Sequence, residues 1–355
     1  MERLYDKLKA YSESDFYAFH MPGHKRNKAL LGIELPYDLD ITEIDGFDDL
    51  HHADGILKEE QERAARVFGA EESHFLVNGS TAGILSAVMG CTHRGDKILV
   101  ARHCHKSIYH AIYMNGLVPR YVYPEFDISM HMNGEISKED VAKALAAEPD
   151  IKAVVIVSPN YDGVVSDVKG IAEVAHSYRI PLIVDEAHGP HFGFHPAFPG
   201  RANDLGADVV INSLHKTLPS LTQTAILHIN GKFANRRRIK KYLDMLQSSS
   251  PSYIFMASLD ACVDFVDGKC ENAFELYVER LHKFREELKP LQHLQILRTE
   301  HYDISKVVIS TANANITSPE LAERLRKEYH LEMEMTGGTY VLAMTTVADT
   351  LRYWK

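Results

Sequence analysis

Cysteine is scarce in this chain: four in 355 residues, with no CxxC pair. That excludes a disulfide framework and a cysteine-built zinc site. Cys91, Cys104, Cys262 and Cys270 fit a reduced, cytoplasmic setting instead. No apolar stretch approaches the roughly 20 uninterrupted residues that span a bilayer. The opening "MERLYDKLKAYSESD" has no apolar core of the kind a secretory signal needs. A soluble protein with no membrane partner is expected. Long basic blocks are also missing and the net charge is −10, which argues against a nucleic-acid binder. There is no internal repeat, no G-x-x-x-x-G-K-[ST] phosphate loop and no HExxH.

What is present is a recurring unit of apolar strand, polar turn and helical pattern. "SHFLV" (73–77) leads through "NGST" into "AGILSAVMG", and "KILVA" (97–101) leads into "RHCHKSIYHAIYMNG". "AVVIVS" (153–158), "PLIVD" (181–185), "DVVINS" (208–213) and "TAILHI" (224–229) continue the series. Continuous apolar runs alternating with helices predict an α/β fold whose mainly parallel sheet is buried on both faces. Ligands of such sheets sit beyond the carboxyl ends of the strands. From about 232 to 296 the chain reads as charged helix. "KVVISTA" (306–312), the helix "SPELAERLRKEYH" and two short strands in "EMEMTGGTYVLAMTT" then predict a small α+β unit.

One stretch concentrates the chemistry. "IVDEAHGPHFGFH" (183–195) places two carboxylates and three histidines after an apolar run. A nucleotide hydrolase can carry "DEAH", but it needs the phosphate loop that this sequence lacks. A metal site from Asp185, His188 and His191 has suitable residue types. With 20 histidines in the chain, chance proximity is common, and no companion motif supports the metal. We expect no metal. The third reading is an organic cofactor, pyridoxal 5'-phosphate, which needs parts far apart in sequence. A lysine must bind it, a carboxylate must pair with its pyridine nitrogen, and a helix N-terminus must take its phosphate.

Each part stands at the end of a different strand. Asp185 ends "PLIVD", and Lys216 follows "DVVINSLH". Gly79, Ser80 and Thr81 open a helix, His105 offers a flat ring, and Ser213 and His215 precede the lysine. Taken singly, each has a plainer explanation. A lone lysine is usually solvated, a lone Asp is usually a helix cap, and "NGST" is an ordinary turn. Their joint occurrence at successive strand ends favours the cofactor.

With these residues the chain resembles the major domain of the bacterial ornithine/lysine/arginine decarboxylases, pyridoxal-phosphate enzymes of fold type I (aspartate-aminotransferase fold). "FHMPGHKRN" (19–27), "DITEIDGFDDLHHADGIL" (40–57), "LVNGSTAGI" (76–84), "RHCHKSIYHA" (102–111), "IVDEAHGPHF" (183–192) and "SLHKTLPSLTQTAIL" (213–227) occur in the family's order. The resemblance implies a mostly parallel seven-stranded sheet flanked by helices in a cofactor-binding large domain over 41–245. An N-terminal arm over 1–40 precedes it, and linker helices with a small α+β domain over 246–355 follow. That small domain is abbreviated relative to the family.

The resemblance also implies site roles. Lys216 forms the Schiff base, Asp185 pairs with the pyridine nitrogen and His105 stacks on the ring. Ser80, Thr81, Ser213 and His215 serve the phosphate, with Gly79 in the same turn, and His188 lies beside the cofactor. The implied activity is decarboxylation of arginine, lysine or ornithine to the corresponding amine, in a homodimer or larger oligomer with shared sites. Alternatives are another pyridoxal-phosphate reaction such as transamination, or a catalytically weak or silent relative. Glu43, Asp45, Asp48 and Asp49 are candidates for the substrate's distal cation, with a solvated acidic loop as the plain alternative. His20 and His24, bracketing "MPG", are expected near the dimer interface.

Overall fold

The computed structural model describes residues 2–128, 131–297 and 301–350. In chain order the elements are α1 (Leu4–Ser12), α2 (Ile56–Val67), β1 (Glu72–Leu76), α3 (Gly79–Cys91), β2 (Lys97–Ala101), α4 (Lys106–Asn115) and β3 (Val118–Val122). Then come β4 (Phe126–Asp127), β5 (Met132–Asn133), α5 (Lys138–Ala147), β6 (Ile151–Val157), α6 (Val168–Ser177), β7 (Leu182–Asp185), β8 (Val209–Asn212), α7 (Leu214–Thr217) and β9 (Ala225–Ile229). The remainder comprises α8 (Arg236–Leu246), α9 (Tyr253–Val266), α10 (Glu271–Glu287), β10 (Gln295–Ile296), β11 (Lys306–Ser310), α11 (Ser318–Tyr329), β12 (Met335–Thr336) and β13 (Tyr340–Met344).

A seven-stranded sheet runs in the order β1-β9-β8-β7-β6-β2-β3. Only β9 runs against its neighbours. The period of two along each strand sorts side chains between two apolar layers. Ile98, Val100, Val155, Ile183, Val209 and Ile211 face one layer, built with α3, α4 and α8. Leu99, Val154, Ile156, Leu182, Val184 and Val210 face the other, built with α5 and α6. Each such side chain contributes roughly 1.5–3 kcal/mol on full burial, so a one-residue slip of register is strongly disfavoured. The approach of α3 to α8 requires glycine: a Cβ on Gly90 would stand 2.8 Å from Ile239 Cα.

The six strands read from sequence are all present, and the seventh is β3. Pro119 and the half-exposed pattern of "VPRYV" hide it from a search for apolar runs, and both suit its edge position. The expectation of charged helix between 232 and 296 needs correcting. Three helices lie there, and the middle one, α9, is apolar and packs with α1, α2 and α10 into a separate core. A second sheet, β10-β11-β13-β12, follows. The Ser-Pro signal opens α11 with a capping box: Thr317 accepts from Glu320 N–H while the Glu320 side chain accepts from Thr317 N–H.

Candidate active site

The parallel strands turn their carboxyl ends to one rim of the sheet, and a cavity of about 820 Å³ opens there. Gly79, Ser80, Thr81, His105, Asp185, His188, Ser213, His215 and Lys216 all line it. Every candidate cofactor residue taken from sequence is therefore brought together in one place.

Asp185 is buried at the end of β7, where its Oδ1 accepts from Ala187 N–H at 3.2 Å. Burial pushes its carboxyl up, opposed by the charge of Lys216. Lys216 sits in the single turn of α7 after β8, one strand from Asp185. Burial lowers its ammonium, opposed by Asp185 and Glu334. A buried lysine with a depressed pKa is a better nucleophile than a solvated one.

His105 caps α4. Its Nδ1 meets Ser107 Oγ at 2.7 Å and accepts from Ser107 N–H at 3.3 Å, which fixes the ring plane at the cavity wall. Burial and the Lys216 charge lower its pKa and keep it neutral. Elsewhere the cavity wall carries donors of the kind that suit an anion. Gly79 adopts φ +73°, the left-handed region, as the chain enters α3. The cap residue Asn78 makes no side-chain bond to the first turn, because its Oδ1 accepts from Ser248 N–H at 3.0 Å. The first-turn N–H groups of α3 thus keep no side-chain cap. Beside them the hydroxyls of Ser80 and Ser213 meet at 2.6 Å. His215 donates from Nδ1 to the Thr224 carbonyl at 2.8 Å, leaving Nε2 for the cavity.

The quoted cluster divides. Asp185 and His188 line the cavity, whereas Glu186 and His191 do not. Glu186 accepts from Ala202 N–H and Asn212 Nδ2, and burial pushes its carboxyl up to about 8. His191 bridges Thr217 Oγ1 at 3.0 Å and Asp303 Oδ1 at 3.1 Å. Asp185, His188 and His191 form no metal cluster; among the described residues no group of three His, Cys, Asp or Glu is placed to hold one. Of the acidic stretch, none of Glu43, Asp45, Asp48 and Asp49 lines the cavity. Asp48 accepts from the N–H groups of Asp49, Asp54, Gly55 and Leu57, and Asp49 caps a turn through His51 N–H, which are structural tasks. His24 pairs with Asp40 at 3.1 Å and stacks on Tyr37, and His20 meets the Tyr11 hydroxyl at 3.1 Å, both within the N-terminal segment.

Over residues 3–315 the sequence matches the family described as Orn/Lys/Arg decarboxylase, major domain. The chain belongs to that family. Among its relatives, the uncharacterized protein YaaO of Bacillus subtilis is 42% identical over 269 residues, covering 74% of this chain and 56% of YaaO. The arginine decarboxylase of Halalkalibacterium halodurans is 34% identical over 364 residues, covering 98% of this chain and 74% of that protein. Among solved structures, the lysine decarboxylase LdcF of Francisella novicida superposes with a TM-score of 0.85 at 20% identity. It covers 99% of this chain but only 58% of its own length is matched. That likeness shows the fold, the fold type I architecture expected from sequence.

Family membership implies pyridoxal 5'-phosphate as the cofactor. The donor set fits it: a buried carboxylate, a buried lysine, a neutral ring fixed at the wall, and a first turn of α3 with no side-chain cap beside two hydroxyls.

The sequence reading missed several groups around this cavity. Tyr161 lines it and packs its ring on His188 with centroids 4.7 Å apart, and its hydroxyl donates to Glu334. His103 also lines it, driven by burial down to about 4. Lys306 lies immediately behind His188. Tyr161 and Glu334 occupy turns without a motif, and Lys306 opens a strand, so no local pattern marks them.

Proposed function

We propose that this chain is a pyridoxal-phosphate-dependent decarboxylase of a basic amino acid, with Lys216 as the lysine that carries the cofactor. The observation behind it is the convergence of Lys216, Asp185, His105 and the α3 N-terminus on one cavity. Bound pyridoxal phosphate supplies an electron sink for the pair left behind when the α-carboxylate departs. Asp185, as an anion, holds the proton on the pyridine nitrogen. The hydroxyls of Ser80, Thr81 and Ser213 and the first-turn N–H groups of α3 hold the phosphate. His215, whose Nδ1 proton serves Thr224 and whose pKa burial lowers, would stand beside that phosphate with Nε2 toward the cavity. His105 would cover one face of the ring. His188, 2.9 Å from Lys216 Nζ, is placed to exchange a proton with that lysine.

Decarboxylation is preferred to transamination because, among the described residues, no arginine lines the cavity to anchor an α-carboxylate. Arginine is the first substrate to test, because relatives named arginine decarboxylase align with 98% of this chain. The products would be the corresponding amines of polyamine chemistry. A homodimer is part of the same reading. Phe16, Tyr17, Phe19, Leu30 and Leu31 stand exposed on the N-terminal arm, an apolar patch suited to a second copy. Phe16→Ser, Phe19→Ser, Leu30→Ser and Leu31→Ser together, which leave the buried α1 in place, should shift the sedimentation mass from dimer to monomer. A cytoplasmic setting suits the four free cysteines.

The decisive experiment is the visible absorption spectrum of the purified chain with added pyridoxal phosphate, beside Lys216→Ala. A band in the wild type that is missing from the variant, with CO₂ released from arginine, lysine or ornithine, is the expected result. No band in either protein overturns the cofactor assignment. A band without CO₂ from any of the three points to the silent-relative alternative.

A further inference from the structure

One strained residue on the cavity wall has no part in the reading above. Gln223 stands in the loop between α7 and β9, lines the cavity, and holds φ +85°. That is the left-handed region, which a glutamine rarely adopts. Packing does not impose the conformation, because Gln223 is exposed. The hydrogen bonds of its loop do. Ser220 Oγ meets Thr224 Oγ1 at 2.6 Å and Ser258 Oγ at 3.1 Å, and Leu221 N–H donates to Ser258 Oγ at 2.9 Å. The Thr224 carbonyl accepts from His215, one residue before Lys216. Backbone strain persists only where such bonds over-determine it, and it clusters at ligand sites.

The strained backbone serves one bond. Gln223 Nε2 donates to the Val77 carbonyl at 2.5 Å. The β1–β9 ladder ends at the pair Leu76–Ala225, and beyond it the two chains part, one toward α3 and the other back toward α7. The Gln223 side chain carries the connection past that end. Val77 is gripped through its other peptide group too, since its N–H donates to Gln247 Oε1 at 2.8 Å. Asn78 does not brace the first turn of α3 from within, because its amide oxygen is committed to Ser248. A Cβ on Gly79 would stand 3.8 Å from the Gln223 carbonyl oxygen, so the two left-handed positions lie side by side. Of the two glutamines on Val77, Gln223 is the one whose loop carries on from Lys216.

A ligand held at two points by a stiff ring needs its two anchors at a matching separation, and small misplacements are costly. Here the anchors are Lys216 and the N–H groups that open α3. We propose that Gln223 is a positioning residue: through the Val77 carbonyl it holds the α3 N-terminus in the form that receives a phosphate, at a fixed separation from Lys216. This rests on Lys216 carrying the cofactor and on α3 taking its phosphate. Gln223 takes no part in the chemistry. Its loss should loosen the phosphate end of the cofactor and leave the aldehyde end as it was.

The test sets pyridoxal phosphate against pyridoxal, which has the same aldehyde and no phosphate. Each is titrated into the cofactor-free chain, and its dissociation constant is read from the visible band. Gln223→Met keeps the reach of the side chain and removes the donor. Gln223→Gly removes the donor and also relieves the strain, so a loss shared by both variants belongs to the hydrogen bond. Both should bind pyridoxal phosphate about fivefold more weakly, the scale of one hydrogen bond, and pyridoxal within about twofold of the wild type. Equal losses for the two aldehydes would make Gln223 merely structural and overturn the proposal. So would pyridoxal phosphate binding that is unchanged in both variants. Should Gln223→Met fail to fold, Gln223→Gly carries the comparison alone. No band with either aldehyde in the wild type would refute the proposed function instead. Inorganic phosphate, followed by its ³¹P line width, then decides for Gln223: an affinity about fivefold lower in the variants supports its role, and an unchanged one overturns it.

Discussion

The seven-stranded sheet delivers Asp185 and Lys216 to the cavity from the carboxyl ends of neighbouring strands, whereas the four-stranded sheet delivers Lys306 from the first residue of β11. The first arrangement is a property of all parallel sheets: strand ends gather on one rim, and polar residues there face a common space. The second is a docking result. Lys306 approaches His188 because the second sheet packs against the first through the His191–Asp303 pair and the bond from the Tyr340 hydroxyl to Asp162 Oδ1. Chemistry at the rim follows from topology. Chemistry behind it depends on how two sheets meet.

Removing the charge at the rim should have the largest effect. Asp185→Asn keeps the shape but cannot hold a proton on the pyridine nitrogen as an anion does. Turnover should fall on the order of 10²-fold or more, measured as CO₂ release under saturating cofactor, while Lys216 still binds pyridoxal phosphate spectroscopically. A loss below tenfold would mean that the rim carboxylate is not the electronic anchor.

The contact between the sheets comes next. Asp303 and His191 are both buried, and Asp303→Ala would leave His191 and Ser305 without their acceptor. Leaving buried hydrogen-bonding groups without a partner costs roughly 1–3 kcal/mol each, read as a lower midpoint in urea unfolding. A single shifted transition is expected, because the lost contact joins both sheets. Two separated transitions would show instead that the sheets unfold independently, and the comparison above would then describe two weakly coupled units.

The same contrast explains what could be read in advance. Continuous apolar runs predicted six strands of the main sheet because both of their faces are buried, and the motifs at their ends predicted every lining residue proposed for the cofactor. The edge strand β3 escaped because one solvated side and Pro119 erase the pattern. Helix α9 escaped because its apolar face sits between charged neighbours in sequence while packing on α1 and α2 in space. Asp48 attracted attention as an acidic residue, but its four backbone bonds serve a turn. Lys306 carried no signal, since a lysine that opens a strand is normally solvated.

Glu186 offers the smallest and most selective probe of the rim. It stands next to Asp185 in sequence but does not line the cavity, and its carboxyl is pushed by burial up to about 8. The folded state therefore holds a proton on Glu186 at a pH where the unfolded chain, at an ordinary value of about 4.3, has released it. A raised acid stabilises fully below the unfolded value, and that contribution is lost as pH rises through the folded one. Stability should thus decline from about pH 4.3 to about pH 8. Glu60, also pushed up to about 8 by burial and then by Asp260, acts in the same window from the other core. Glu186→Gln, neutral at every pH, should therefore flatten the decline only in part, measured by urea midpoints across that range. An unchanged slope would place the carboxyl in the ionised state, and the rim would then carry two adjacent anions instead of one.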